Sequence, residues 1–289
     1  MKKEIPTPDK GRLEVIERIK EYERIGGEAF FRDVENDPPS RPLRPDEVDY
    51  LNKKFSSKIK CIAACFIEWI CRHVLGKKFK IAVVGEENIR DVKGGAIITS
   101  NHFAPTENLA VKIASERAKQ KRRLYKVVRE GNFFMSGIIG FLLKHARTLP
   151  LSSDIHTMKN LDTAISDILG AGDFILIYPE QAMWWNYTKP REYRIGAYHY
   201  AAKNGVPVIP CFVTLSRLDT VGKNGFYDVG YTIHVMPPIY PDPSLSVREN
   251  ARVMLEKNRD LCIQKYEEIY KRKLSFGDYE CEFLPLAQE

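Results

Sequence analysis

The chain reads as an α/β fold, a mostly parallel sheet flanked by helices, with an N-terminal helical segment and a long C-terminal helix. Three observations predict it. From residue 79 onward, short runs rich in β-branched and aromatic residues alternate with stretches of helical period, and parallel strands need such crossovers. The 289 residues, 44% hydrophobic and 29% charged, have the composition of a globular chain able to bury one large core or two modest ones. Four prolines, Pro237, Pro238, Pro241 and Pro243, then close the β-rich region before a new helix opens.

Residues 1–78 are charged and proline-bearing, with a helical pattern from Leu13 to Ile25 and a broken stretch at Asp37, Pro38, Pro39, Ser40, Arg41 and Pro42, as expected of an appended helical segment and linker. Within 79–240 the strands are expected at Phe79 to Val84, Ala96 to Thr99, Leu124 to Val128, Thr148 to Leu151, Phe174 to Tyr178, Val206 to Val213 and Tyr231 to Met236. Helical patterns fill 106–122, 134–145, 155–169 and 192–204. In the last segment, 241–289, Ser246 and Glu249 form a capping box that opens a helix reaching about Arg272. The chain shows no internal repeat and no low-complexity tract.

The loop after the second strand carries the most chemistry. The apolar run Ala96, Ile97, Ile98 passes through Thr99 and Ser100 into Asn101 and His102, and Pro105 suits the first turn of a helix, continued by Leu109, Ala110, Ile113 and Ala114. His102 thus sits at a strand's end, where α/β folds place their sites, with the carboxylate Glu107 five positions on. On a regular helix two such residues point about 140° apart, so they meet only if His102 precedes the helix and turns back. A histidine backed by a carboxylate is a general base. A loop-capping histidine beside a glutamate placed by the helix dipole accounts for the same residues.

The formal charge of +7 favours acidic partners: anionic headgroups, a phosphorylated cofactor or an acidic carrier protein. Nothing sharpens it into nucleic-acid binding, since the Lys119, Lys121, Arg122, Arg123 cluster closes a helix where cations suit the dipole. Six cysteines without a secretory leader point to reduced thiols in the cytoplasm. Cys61, Cys65, Cys71 and His73 match no zinc spacing, and no metal is expected. The most apolar window, Ile59 to Leu75, is interrupted by Lys60, Glu68 and Arg72 and is no spanning helix. Its Phe66, Trp69, Ile70 and Val74 suit a bilayer interface or packing on the main domain.

Four blocks, in order over roughly residues 79 to 215, resemble the glycerolipid acyltransferase family typified by 1-acylglycerol-3-phosphate acyltransferase. The first is Asn-His, four residues, then an acidic position: here Asn101, His102 and Glu107, with glutamate for the family's aspartate. The second is similar to Gly137, Gly140, Phe141, Leu142, Leu143, Lys144, then Arg147, Thr148, Leu149, Pro150 and Leu151, with Ser153 near the family's arginine. The third, Phe-Pro-Glu-Gly-Thr-Arg in the family, is Tyr178, Pro179, Glu180, then Gln181, Ala182 and Met183. Arg194, Gly196, Ala197 and Ala201 resemble its following helix start. The fourth is Val206, Pro207, Val208, Ile209, Pro210.

The resemblance implies transfer of a fatty acyl group from a thioester, acyl-CoA or acyl carrier protein as co-substrate, to a lipid hydroxyl, by a cytoplasmic enzyme, peripheral on the inner face of the membrane, that needs no bound cofactor. His102 would be the base and Glu107 its support. Asn101 and Glu180 would contact substrate, Glu180 by orienting a glycerol hydroxyl or else a neighbouring basic group. Either the acceptor carries no phosphate there or other cations, Arg129, Lys144, Arg147 and Arg194 with Lys126, Lys189 and Arg191 also available, would stand in for the two absent family arginines. Trp184, Trp185 and Tyr187 would stack at a site entrance or pack in the core, and Phe133, Phe134, Ile138, Ile139, Phe141 and Leu142 would line an acyl pocket or bury a helix. No Gly-x-Ser-x-Gly elbow supplies a hydrolase nucleophile. An acyl thioesterase and a non-enzymatic lipid-binding protein are the competing functions.

Overall fold

A computed structural model describes residues 6–36, 40–119 and 121–285. The expected linker residues Asp37, Pro38 and Pro39 lie outside the described residues, as do Gln120 and the last four positions of the C-terminal segment. In chain order the elements are α1 (Lys10–Ile25), α2 (Phe55–Lys78), β1 (Ala82–Val84), α3 (Glu87–Arg90), β2 (Ala96–Thr99), α4 (Asn108–Arg117), β3 (Leu124–Val128), α5 (Glu130–Phe133), α6 (Gly137–His145), β4 (Thr148–Pro150), α7 (Ile155–Gly170), β5 (Phe174–Ile177), α8 (Gly196–Lys203), β6 (Val208–Val221), β7 (Tyr227–Val235) and α9 (Val247–Tyr270).

Among the described residues the strands form one seven-stranded sheet of order β1-β7-β6-β2-β5-β3-β4. Every neighbouring pair is parallel except β6 and β7, which run antiparallel from Cys211 opposite Val235 to Val221 opposite Tyr227. The fold class read from the sequence is therefore the one observed. The helices divide over two faces. Leu109, Ala110 and Ala114 of α4 join the cluster containing Ile98, Leu176 and Ile209, whereas α7, α8 and α9 bury Leu161, Tyr198 and Met254 with Ile97 and Ile175 on the other. Each central strand thus feeds both cores with alternate side chains, which is why β2 reads as an unbroken apolar run.

Several boundaries differ from expectation, each for a local reason. The Phe79 to Val84 strand starts three residues late, because α2 runs through Lys78 and Lys80 turns left-handed (φ 44°) before β1. The 134–145 helix begins at Gly137 (φ 68°), and Gly140 is confined to glycine because a Cβ there would meet the Met135 carbonyl oxygen at 1.9 Å. The 106–122 helix ends at Arg117. The helix expected from residue 192 waits until Gly196, since the backbone N–H groups of Arg191 and Arg194 are bound elsewhere. The Val206 to Val213 strand extends to Val221, paired with β7, where polar residues on an edge hide it from an apolar pattern. The helix opened by the Ser246 and Glu249 capping box stops at Tyr270, with Lys271 left-handed, and the chain folds back to bury Tyr279 and Phe283.

Candidate active site

β2 and β5 are neighbours, and their connections leave in opposite directions: α4 carries the chain from β2 past β5 to β3, and α8 carries it from β5 past β2 to β6. A crevice at the carboxyl ends of such a strand pair is where open α/β sheets bind ligands. His102 follows β2 and Glu180 follows β5, so both sit there.

His102 does turn back. Its Nδ1 lies 2.7 Å from Glu107 Oε1, while Oε2 accepts the Ala104 N–H at 2.6 Å. Glu107 is 1% exposed, and the imidazole keeps about a fifth of its surface open. Since an ionised carboxylate only accepts, the contact selects the Nδ1–H tautomer and leaves the Nε2 lone pair outward as a base. The Tyr178 ring lies against the imidazole, centroids 4.2 Å apart and planes 12° from parallel.

The loop itself is pinned from three sides. Asn101 is buried, and its amide closes a rung with Val213 of β6, donating to the carbonyl at 3.0 Å and accepting the N–H at 2.8 Å. The His102 N–H donates to Glu180 Oε2 at 3.1 Å, and the carbonyls of His102 and Phe103 accept the N–H groups of Trp184 and Asn186 at 3.0 Å each. Asn101 and Glu180, expected to meet substrate, are thus engaged in holding the turn that carries His102. A buried amide or carboxylate takes the partners the backbone offers rather than leave either unsatisfied.

The basic group that Glu180 orients is Arg191, one of the seven cations that the sequence offers toward a phosphate. Arg191 is fully buried, stacked over Trp184, and its guanidinium donates to Glu180 Oε2 at 2.9 Å, to the Phe30 carbonyl at 2.7 Å and to the Ala182 carbonyl. Its own N–H reaches Glu180 Oε1 at 3.1 Å. A buried glutamate at the end of a strand is a signal for such a cation, but nothing in the spacing singles out Arg191 among its basic neighbours. Trp184, Trp185 and Tyr187 pack with Val15, Ile16 and Ile19 of α1, so they form core and not an entrance. Glu23 of α1, buried, accepts from Tyr187 at 3.0 Å and Lys189 at 2.7 Å, which ties the N-terminal helix to the same loop.

The expected phosphate cations scatter. Arg129 pairs with Asp33. Arg194 pairs with Glu28 at 2.5 Å and stacks on Phe31. Lys144 lies over the Phe133 ring. Arg147, left-handed at φ 53°, lines a cavity of about 200 Å3 with Asn108, Lys112, Lys121, Arg122 and Lys126, and there Lys112 and Lys126 share the Glu68 carboxylate. Burial pushes the Glu68 carboxyl up, and the two ammonium groups more than reverse this, leaving it below its ordinary value. Arg129 and Arg194 are thus engaged by carboxylates and Lys144 by a ring, while Arg147 shares its cavity with Asn108 at the start of α4.

The outer face of α2 is apolar and open: Phe55, Ile59, Ile62, Phe66, Trp69, Ile70 and Val74 recur at helical spacing, and Ile138 and Ile139 of the adjoining α6 are exposed too. Ile138 and Ile139 thus point outward and do not line a pocket. Among the described residues no helix is long and apolar enough to cross a membrane. Cys61 and Cys65 lie one turn apart on α2 with sulfurs 4.0 Å apart, and no three His, Cys, Asp or Glu side chains group as metal ligands among the described residues.

Residues 80–214 match the family model described as Acyltransferase. Among solved structures, the chain resembles the 1-acyl-sn-glycerophosphate acyltransferase PlsC from Thermotoga maritima at 16% identity and a TM-score of 0.48, over 68% of this chain and 74% of that one. No curated protein sequence matches the chain significantly. The matched span holds all four sequence blocks and the His102–Glu107 pair, and residues 80–214 are what this chain shares with the acyltransferase family model.

Proposed function

We propose that the protein transfers a fatty acyl group from the thioester of acyl-CoA or acyl carrier protein to a hydroxyl of a lysophospholipid or related lipid. The observation that carries the reading is the His102 Nδ1 to Glu107 contact of 2.7 Å, which leaves Nε2 open at the carboxyl end of β2. His102 Nε2 takes the proton of the acceptor hydroxyl as its oxygen attacks the thioester carbonyl, and Glu107 stabilises the imidazolium that forms. The tetrahedral intermediate then collapses with loss of the thiolate, and His102 returns the proton to sulfur. Backbone N–H groups at the start of α4 are the nearest donors for the oxyanion, though that of Ala104 is already committed to Glu107. No enzyme nucleophile takes part.

Contact with a bilayer surface belongs to the same reading. The exposed stripe of α2 with Ile138 and Ile139 of α6 suits the interface, flanked by Lys53, Lys54, Lys58, Lys77 and Lys78 for anionic headgroups. Toward an acceptor phosphate, Arg194 would leave Glu28, an exposed pair of the kind that holds weakly.

Radiolabelled acyl-CoA and acyl carrier protein, each incubated with lysophospholipids, neutral glycerolipids and glycolipids, test the assignment. An acylated lipid whose formation needs both substrates supports it. Donor consumption indifferent to acceptor points to a thioesterase, and vesicle binding without turnover points to a lipid-binding protein.

A further inference from the structure

The third sequence block opens on a tyrosine just past β5, and that tyrosine lies flat on the His102 ring. Tyr178 and His102 are stacked at 4.2 Å and 12°. The phenol oxygen is buried without a well-formed hydrogen bond among the described residues. It faces the Glu107 carboxylate, and burial followed by that carboxylate holds the phenol well above its ordinary pKa, so it stays a neutral donor. A buried hydroxyl left loose beside a charged group requires an explanation, because its desolvation is otherwise uncompensated.

We propose that Tyr178 is a positioning residue for His102, its ring fixing the plane of the imidazole and its hydroxyl tempering the pull of Glu107. The inference rests on His102 as the base and adds what sets that base's orientation and strength. An imidazole tethered only through Nδ1 still rocks about that bond, and a parallel ring at van der Waals distance removes the freedom, keeping Nε2 aimed out of the site. The same π face attracts the imidazolium once the proton has moved. The hydroxyl acts oppositely. A buried hydroxyl beside the carboxylate competes with the ring for its negative charge, so removing that hydroxyl is expected to strengthen the hold of Glu107 on the imidazolium.

The charged and titratable groups around the imidazole are few and fixed. Glu107 holds Nδ1, Glu180 holds the backbone N–H, and Arg191 lies 3.5 Å from the backbone carbonyl. Tyr231 of β7 reaches Thr106, with Glu107 beyond it. Of these, Tyr178 alone stacks on the ring among the described residues.

The full chain labelled at histidine, with the His102 resonances assigned by His102→Gln, gives the imidazole titration and tautomer directly by NMR. Tyr178→Leu, which removes ring and hydroxyl, is expected to lower the His102 midpoint by about 0.5 on the pH scale or more and to mix the tautomers. Tyr178→Phe, which keeps the ring, is expected to raise the midpoint and hold the Nδ1–H tautomer. Shifts of the same sign in both variants, or midpoints of both equal to that of the wild type, overturn the proposal. Should the leucine variant fail to fold, the phenylalanine variant decides alone, and an unchanged or lowered midpoint overturns it. These readouts need no turnover, so a wild type inert toward every acyl donor would refute the proposed function while leaving this test intact.

Discussion

The Glu107 carboxylate grips His102 Nδ1 at 2.7 Å with one oxygen and the Ala104 N–H at 2.6 Å with the other, so a single side chain fixes both the imidazole and the turn that carries it. The two oxygens of one carboxylate are thus both engaged, one by the ring and one by the backbone. Glu107→Gln keeps the shape but loses the charge that supports the imidazolium, and kcat is expected to fall about 10^3-fold or more with little change in the melting temperature. Glu107→Asp restores the charge on a shorter side chain and is expected to recover only part of that loss. Steady-state kinetics of the two variants against the same donor and acceptor check the order.

Arg191 should matter to the fold more than to any ligand. Its guanidinium and Glu180 form a fully buried pair, so Arg191→Met leaves a carboxylate uncompensated and is expected to cost about 3–5 kcal/mol in urea unfolding. The double variant with Glu180→Gln is expected to lose markedly less than the two single changes added together. Additive losses would mean that the pair does not act as a unit.

The apolar stripe of α2 is expected to hold the protein at a bilayer. Phe66 is 59% exposed and stacks on the half-exposed Trp69. Burying one such ring contributes about 1.5–3 kcal/mol, so Phe66→Glu or Trp69→Glu is expected to weaken sedimentation with anionic vesicles tenfold or more. The melting temperature in solution should stay as it is, because neither ring is part of the core.

Stability should fall below neutral pH through one buried histidine. Burial, and secondarily Lys265, lowers the His234 pKa to about 4, and Thr214 Oγ lies 3.0 Å from its Nε2. The unfolded chain protonates near pH 6.5, the folded one only near 4, so the stability present above pH 6.5 is lost as pH falls from 6.5 toward 4. The loss is on the order of 2 kcal/mol after allowing for solvent screening. Chemical unfolding of His234→Gln over that range is expected to show a flatter profile than the wild type.

The sheet and the reactive turn were legible in the sequence because they rest on short-range signals. Ala96, Ile97 and Ile98 are apolar on both faces because β2 is central, whereas Pro105, expected in the first helical turn, lies in the turn ahead of α4, which starts at Asn108. What surrounds the turn was not legible, because it depends on contacts between distant residues. Arg191 meets Glu180 only through the loop between them, and Arg191, Trp184 and Lys189 meet Phe30, Arg32 and Glu23 only once α1 and the turn after it have folded over that loop. The basic residues looked interchangeable by composition. Their roles separated only when Asp33, Glu28 and Glu68 arrived from remote segments to pair with Arg129, Arg194 and Lys126.

The central claim is that the open nitrogen of His102 removes the acceptor's proton. Acyl transfer by His102→Ala, followed by mass spectrometry of the lipid products under the conditions in which the wild type turns over, tests it most directly. The account predicts product at or near the uncatalysed level, from a variant that melts like the wild type and still binds vesicles. Transfer within tenfold of the wild type would contradict it.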